Sequence, residues 1–343
     1  MSLRLIMTSI FYKIKVFVFS MLLFFFPIHI LLIKIKNFLY DYNLIKPNKS
    51  KPVVISVGNI SLGGTGKTPF TISLSRFLTK QGYRVGVTVR GHGRKNENNS
   101  FFVENQGWEI AGDETILLQN NLNDVPIYVS KNRFNAANFL YNEKNCEIII
   151  MDDAFQHRKI HREIDIVLLA KETIEKKNKK LFPFGMLREP IINLKRADII
   201  IETKGGLNQD GKLVLNWKYK ETLLMSNNET CSLGVLKNYN NILCLCAIGS
   251  PKNFEQTLEF LKIKYKKSLH YPDHYPFTKK DIQKLNAFIE KNNIDAVVCT
   301  EKDLVKLKQH KKHLKVPLGA IMVEHSLGKD IESAILAKIQ EVI

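Results

Sequence analysis

Eight consecutive residues, Ser61-Leu62-Gly63-Gly64-Thr65-Gly66-Lys67-Thr68, have the types and spacing of a loop that grips phosphate. Its glycines let successive backbone N–H groups converge on phosphate oxygens, and a helix starting at this point adds the favourable end of its dipole. Lys67 is then placed to reach the β- and γ-phosphates of a nucleotide, and Thr68 offers a hydroxyl to magnesium. Serine replaces glycine at the first position of the general pattern. A glycine-rich turn preceding a helix is the plain alternative. The Gly-Lys-Thr register and the flanking elements favour the phosphate loop.

A second constellation lies downstream. Glu147-Ile148-Ile149-Ile150-Met151-Asp152-Asp153 is an apolar run ending in two acids. In folds built around a phosphate loop, such an acid stands beside the loop and binds magnesium directly or through water. A turn or a helix cap made from Asp is the competing reading, weakened by the loop upstream. Ala154-Phe155-Gln156-His157 follow directly and are expected to line the same site.

The surrounding pattern supplies elements to hold these residues. Val53 to Val57 reads as a buried strand entering the loop. Phe70, Leu74, Phe77 and Leu78 fall at i, i+4, i+7 and i+8 and give the helix after it one apolar face. Pro69 suits its first turn, Gly82 ends it, and Val85 to Val89 reads as the next strand. Strand–loop–helix–strand units build parallel sheets. The alternation continues with strands at Pro126 to Val129, Glu147 to Met151, Ile164 to Leu169 and Ala197 to Glu202, and a helix from Arg133 to Tyr141. A polar, glycine-rich stretch from Gly205 to Lys220 reads as a linker. A second alternation follows, with strands at Ile242 to Ala247 and Ala296 to Cys299 and helices around Phe254 to Leu261 and Lys279 to Lys291. The expected fold is α/β: a P-loop NTPase-like parallel-sheet domain over 46–210, a smaller α/β domain over 211–343, and a hydrophobic membrane-associated segment over 1–45.

Composition is that of an ordinary globular chain, with 45% hydrophobic and 24% charged residues. The formal net charge of +18 favours anionic partners such as phosphate-bearing ligands or an acidic lipid surface. No nucleic-acid recognition motif accompanies it. The five cysteines, at 146, 231, 244, 246 and 299, form neither a zinc pattern nor a disulfide framework. Cys244 and Cys246 read as small hydrophobes on one face of a strand. Val16 to Ile33 is apolar and about long enough to cross a bilayer, with lysines at 13, 15, 34 and 36 on both sides. Pro27 and His29 disfavour a straight spanning helix. No small-residue cleavage site follows, so membrane attachment, spanning or interfacial, is favoured over a removed signal peptide.

The ordered set VGNISLGGTGKTP, Arg90-Gly91-His92-Gly93, Gly112-Asp113-Glu114, DDAFQHR at 152–158, LFPFGMLREP at 181–190, Pro272-Asp273-His274-Tyr275-Pro276-Phe277 and Thr300-Glu301-Lys302-Asp303 resembles the tetraacyldisaccharide 4'-kinase family. The resemblance covers roughly residues 50 to 305. It implies two α/β/α domains and transfer of the γ-phosphate of ATP to the 4'-hydroxyl of a tetraacylated glucosamine disaccharide 1-phosphate, a late step of lipid A synthesis at the inner membrane. It implies that residues 61–68 bind ATP, that Asp113 is the general base paired with His274, that Lys67 and Arg188 act in catalysis, and that Thr68, Asp152, Asp153 and Glu189 surround Mg²⁺. Ala154 and Thr115 depart from the family's pattern, where Gly and Pro are expected.

Read without the resemblance, Asp113 is a helix N-cap, His274 a turn residue, and Arg188-Glu189 an exposed ion pair. Thr300-Glu301-Lys302-Asp303 reads as a structural capping box. If His274 must meet Asp113, the two domains close over the nucleotide and exclude water. The rival function is a membrane-associated P-loop ATPase or GTPase switch. Thr203-Lys204-Gly205-Gly206 begins like a guanine-binding segment but lacks its Asp. The sequence carries no mark of an oligomeric state.

Overall fold

A computed structural model describes residues 28, 30–170, 173, 180–182, 184–203, 213–224 and 234–343. Most of the expected membrane segment, together with Lys204, Gly205, Gly206 and Cys231, lies outside these residues. Among the described residues, no helix is long and apolar enough to cross a membrane. Residues 30–41 are helical (α1). Leu31, Leu32, Ile35 and Phe38 on this helix are exposed.

The first sheet contains β1 (Val53–Gly58), β2 (Val85–Val89), β3 (Phe101–Phe102), β4 (Ile127–Val129), β5 (Ile148–Asp152), β6 (Ile164–Ala170), β7 (Ile199–Thr203) and β8 (Leu213–Val214). Their order is β3-β4-β2-β5-β1-β6-β7-β8. All pairings are parallel except β3 on β4. The central strands are mostly apolar because both faces are covered: Ile148, Ile149, Ile150 and Met151 are all fully buried. Among the described residues, α-helices α2 (Lys67–Lys80), α3 (Trp108–Ala111), α4 (Asp113–Asn121) and α5 (Arg133–Lys144) lie between these strands. The β1–β5 register sets Val57 opposite Asp152, so the loop after β1 and the acids after β5 emerge side by side at the carboxyl ends of adjacent strands.

The second sheet contains β9 (Asn216–Leu224), β10 (Ile242–Cys246), β11 (Lys267–His270), β12 (Ala296–Thr300) and β13 (Leu318–Ser326), in the order β11-β10-β12-β13-β9. Its helices are α6 (Pro251–Phe260), α7 (Lys279–Lys291) and α8 (Glu301–Leu307). Cys244 and Cys246 share one buried face, as their alternation implies.

Two features differ from the sequence expectation. The stretch read as a linker contains β8 and the first part of β9, which runs antiparallel along the whole of β13. Its alternation of Trp217 and Tyr219 with Lys218 and Lys220 is a half-buried strand pattern that the polar composition hides. The chain also returns to the first sheet at its end. Helix α9 (Lys329–Val342) spaces Ile331, Ile335 and Ile339 four apart, and all three are buried in the first sheet's core. Each such burial contributes about 1.5–3 kcal/mol. The expected division at 210/211 assigned β8 and α9 to the second domain; register and packing attach both to the first sheet.

Candidate active site

The phosphate loop is held from several sides. Leu62 donates its backbone N–H to Met186 O (2.7 Å), and the Arg188 N–H donates to Ile60 O (2.8 Å). Ser61 pairs with Leu187 across an isolated bridge. Asn59 Nδ2 donates to Thr65 Oγ1 (3.0 Å). Gly66 has φ +80°, in the left-handed region that L side chains rarely adopt. A Cβ there would lie 2.7 Å from His325 Cε1 and 3.1 Å from Trp217 Cζ2, so the β9–β13 ribbon backs directly onto the loop. Gly66 then caps α2, whose N-terminal residues Lys67 and Thr68 face the acids.

Thr68 Oγ1 donates to Asp152 Oδ2 (3.0 Å), and Thr71 Oγ1 donates to Asp152 Oδ1 (3.1 Å). Lys67 Nζ lies 3.5 Å from Asp153 Oδ1. Arg188 Nη1 donates to both Asp153 oxygens (2.8 and 3.0 Å). Burial, with Glu114 and Asp153 nearby, pushes Asp152 up to about 6 against the pull of Lys67 and Thr68. Burial also raises Asp153, but Lys67 and Arg188 outweigh it and hold that carboxyl below its ordinary value. Asp153 has φ +49°, a strained conformation that marks functional turns.

Asp113 opens α4; the N-cap is Gly112, so the capping role is not the one it plays. Its side chain is buried and receives His274 Nδ1 at 3.0 and 3.1 Å. Lys306 Nζ, fully buried, stands 3.4 Å from Asp113 Oδ2 and 3.2 Å from Asp303 Oδ1. Burial pushes Asp113 up, but the His274 hydrogen bond and the charges of Lys302 and Lys306 prevail and bring it down to about 2. The same hydrogen bond raises His274, against burial and Lys302. His274 also has a positive φ, +60°. The structure thus brings together the two halves of the pair from opposite domains.

Glu189 behaves differently from the other expected metal ligands. It accepts from Gln156 Nε2 (2.7 Å), Asn193 Nδ2 (2.6 Å) and Arg196 Nη2 (2.6 Å). The Arg196 guanidinium lies 4.4 Å from the centre of the Phe155 ring. Glu189 is therefore buried inside its own hydrogen-bonded cluster, joined to the loop through Gln156, which also donates to Asn59 O (2.7 Å).

The hard oxygen donors of Thr68 and Asp152 fit Mg²⁺, which takes one or two carboxylates and completes its shell with water and phosphate. Among the described residues no group of three or more His, Cys, Asp or Glu could hold a metal ion.

Sequence reasoning missed several neighbours. A cavity of about 640 Å³ beside the acids is lined by Lys36, Arg90, Lys131, Arg133 and Lys159 together with the expected Arg188, and by the carboxylates Glu114, Asp152 and Asp153. Such a cation-lined concavity suits a polyanionic ligand. Arg133 is buried and donates to Asp152 O (3.0 Å); burial lowers it to about 10 and leaves it charged. Its position at the start of a helix gave no hint of this.

The chain is similar to known proteins in sequence and in fold. The model of the Tetraacyldisaccharide-1-P 4'-kinase family matches residues 18–340. The tetraacyldisaccharide 4'-kinase of Halothermothrix orenii is 33% identical, over 94% of this chain and 92% of that one. The tetraacyldisaccharide 4'-kinase of Haemophilus influenzae is 35% identical over 80% of each chain. The crystal structure of LpxK from Aquifex aeolicus in complex with ATP superposes with a TM-score of 0.72 at 30% identity, covering 93% of this chain and 98% of that one.

Proposed function

The chain belongs to the tetraacyldisaccharide-1-P 4'-kinase family, and on that premise we propose how its residues carry out the reaction. The protein is an ATP-dependent kinase of lipid A synthesis. It transfers the γ-phosphoryl group of ATP to the 4'-hydroxyl of a tetraacylated glucosamine disaccharide 1-phosphate. The observation that carries this reading is the Asp113–His274 contact at 3.0 Å, which joins the second domain to the first next to Glu114, a wall of the cavity that also holds Asp152 and Asp153. A nucleotide switch has no use for a buried carboxylate–imidazole pair at that place.

Residues 61–68 wrap the triphosphate through backbone N–H groups, and Lys67 neutralises the β- and γ-phosphates. Thr68 and Asp152 would hold Mg²⁺, with Asp153 beside them; the ion would supply charge neutralisation on the transferring group. Arg188 and Lys67 both pair with Asp153. An arriving γ-phosphate competes with Asp153 for these cations and draws them onto the charge that spreads in the transition state. Asp113 accepts the proton of the acceptor hydroxyl, and His274 orients the carboxylate. At a value near 2, Asp113 is ionised at any working pH and aims the hydroxyl. It takes the proton as the new O–P bond forms, in keeping with a loose transition state. Glu189, engaged by Arg196, Asn193 and Gln156, supports the loop from behind.

The lipid acceptor is met at a membrane. The apolar N-terminal segment and the exposed Leu31, Leu32, Ile35 and Phe38 of α1 attach the protein to the anionic inner membrane, with the catalytic domains in the cytosol where ATP is found. The decisive assay is transfer of labelled γ-phosphate from ATP to the disaccharide 1-phosphate lipid by the purified chain. Label in the lipid fraction supports the assignment; label only in inorganic phosphate contradicts it.

A further inference from the structure

Helix α8 begins with Thr300-Glu301-Lys302-Asp303. Part of this tetrad does the work of a cap: Thr300 Oγ1 accepts from the Asp303 N–H (3.2 Å), and Asp303 Oδ2 accepts from the Ala247 N–H (3.0 Å). Capping gives no role to Lys302. Its side chain instead crosses to the first domain, where Nζ donates to Glu114 Oε1 (3.1 Å), and it also reaches Asp273 Oδ1 (3.4 Å) and His274 Nε2 (3.1 Å). These are three acceptors for the three donors of an ammonium group. Lys306, one turn further along the same face, reaches the other side of the pair at Asp113.

These contacts determine where the histidine proton is. An ammonium donates and accepts nothing, so the His274 Nε2 facing it carries a lone pair. An ionised carboxylate accepts and donates nothing, so Nδ1 facing Asp113 carries the hydrogen. We propose that Lys302 is a positioning residue: it pins His274 as the neutral Nδ1–H tautomer, so that the ring spends its single N–H on Asp113 and leaves that carboxylate aimed at the acceptor hydroxyl. A second proton on His274 has to displace Lys302 from Nε2. Burial works against the Lys302 charge, but Glu114, Asp113 and Asp273 outweigh it and keep the side chain an ammonium.

The inference rests on Asp113 and His274 being the reacting pair, and its test has a readout that does not depend on that. The charged or titratable groups facing His274 are Asp113, Asp273 and Lys302, with the His92 ring centre 5.6 Å away and Lys306 behind Asp113. Removing the lysine charge leaves the carboxylates in control, so protonation of His274 moves to higher pH. In the full-length protein labelled with ¹⁵N-histidine, His274 should show a bare Nε2 and a protonated Nδ1. In Lys302→Met it should titrate about a pH unit or more higher. The acid limb of kcat should move with it, turnover at neutral pH should fall about 10- to 100-fold, and KM for ATP should stay within about threefold. Lys302→Arg, still a donor-only cation, should recover most of the loss. A protonated Nε2 in the wild-type spectrum overturns the proposal, as does a Lys302→Met enzyme with an unmoved His274 titration. Retained ATP affinity in the variant shows that it is folded. Failure of Asp113 as the base appears separately, as undiminished transfer in Asp113→Asn.

Discussion

Gly66→Ala tests how the second sheet supports the phosphate loop. At φ +80° an alanine pays about 1–2 kcal/mol for the left-handed conformation. Its methyl would also stand 2.7 Å from His325 Cε1 and 3.0 Å from His325 Nε2. His325 is buried on β13 and packs on Trp217 with ring centres 4.7 Å apart, so it has little room to retreat. Overpacking of this kind costs about 1–3 kcal/mol. The strain falls on the loop that must be ordered to bind triphosphate, so ATP affinity should drop about 30-fold or more, since each 1.4 kcal/mol is about tenfold. Calorimetric titration with a nonhydrolysable ATP analogue measures it. The double variant Gly66→Ala/His325→Ala removes the clash and leaves the dihedral cost, so it should regain about half of the lost binding energy. Wild-type affinity in Gly66→Ala, or no recovery in the double variant, would refute the argument that β13 buttresses the loop.

Three further outcomes are expected. Thr68→Ala should raise the Mg²⁺ concentration needed for half-maximal transfer about tenfold without unfolding the protein, because Asp152 keeps its bond from Thr71; an unchanged magnesium dependence would remove Thr68 from the site. Asp113 is held at about 2 against an ordinary value of 3.8, so the stability it adds is complete above pH 4 and lost as pH falls through 2. Denaturant titrations should therefore show the wild-type advantage over Asp113→Asn shrinking by about 2 kcal/mol between those limits, and a pH-independent difference would deny the depressed value. Leu31→Glu/Leu32→Glu, on the exposed face of α1, should weaken cosedimentation with anionic vesicles while leaving ATP affinity unchanged. Undiminished cosedimentation would place the attachment elsewhere.

The phosphate-loop domain was readable because its signals are local. An apolar strand, a glycine loop and a helix with Phe70, Leu74, Phe77 and Leu78 on one face are each written within about twenty residues. Asp113 and His274 were reached through family resemblance; their own surroundings in sequence pointed to a cap and a turn. The missing information is long-range: 161 positions separate the partners of that hydrogen bond. Lys302 and Lys306 were hidden in the same way, because a capping tetrad explained their segment without reference to another domain. Strand β9 was lost to its lysines, and α9, for which the sequence reading gave no helix, packs on the first sheet, a long-range return that no local pattern shows.

The central claim is that residues 61–68 and the proton acceptor Asp113 share the first domain, and that the second domain completes the site by setting His274 on that carboxylate. Single-turnover transfer with Asp113→Asn, run beside a titration of the same preparation with magnesium nucleotide, separates nucleotide binding from proton acceptance. The account predicts ATP affinity within about threefold of wild type and transfer slowed at least about 100-fold. Transfer at the wild-type rate, or loss of both activities together in a folded protein, would contradict it.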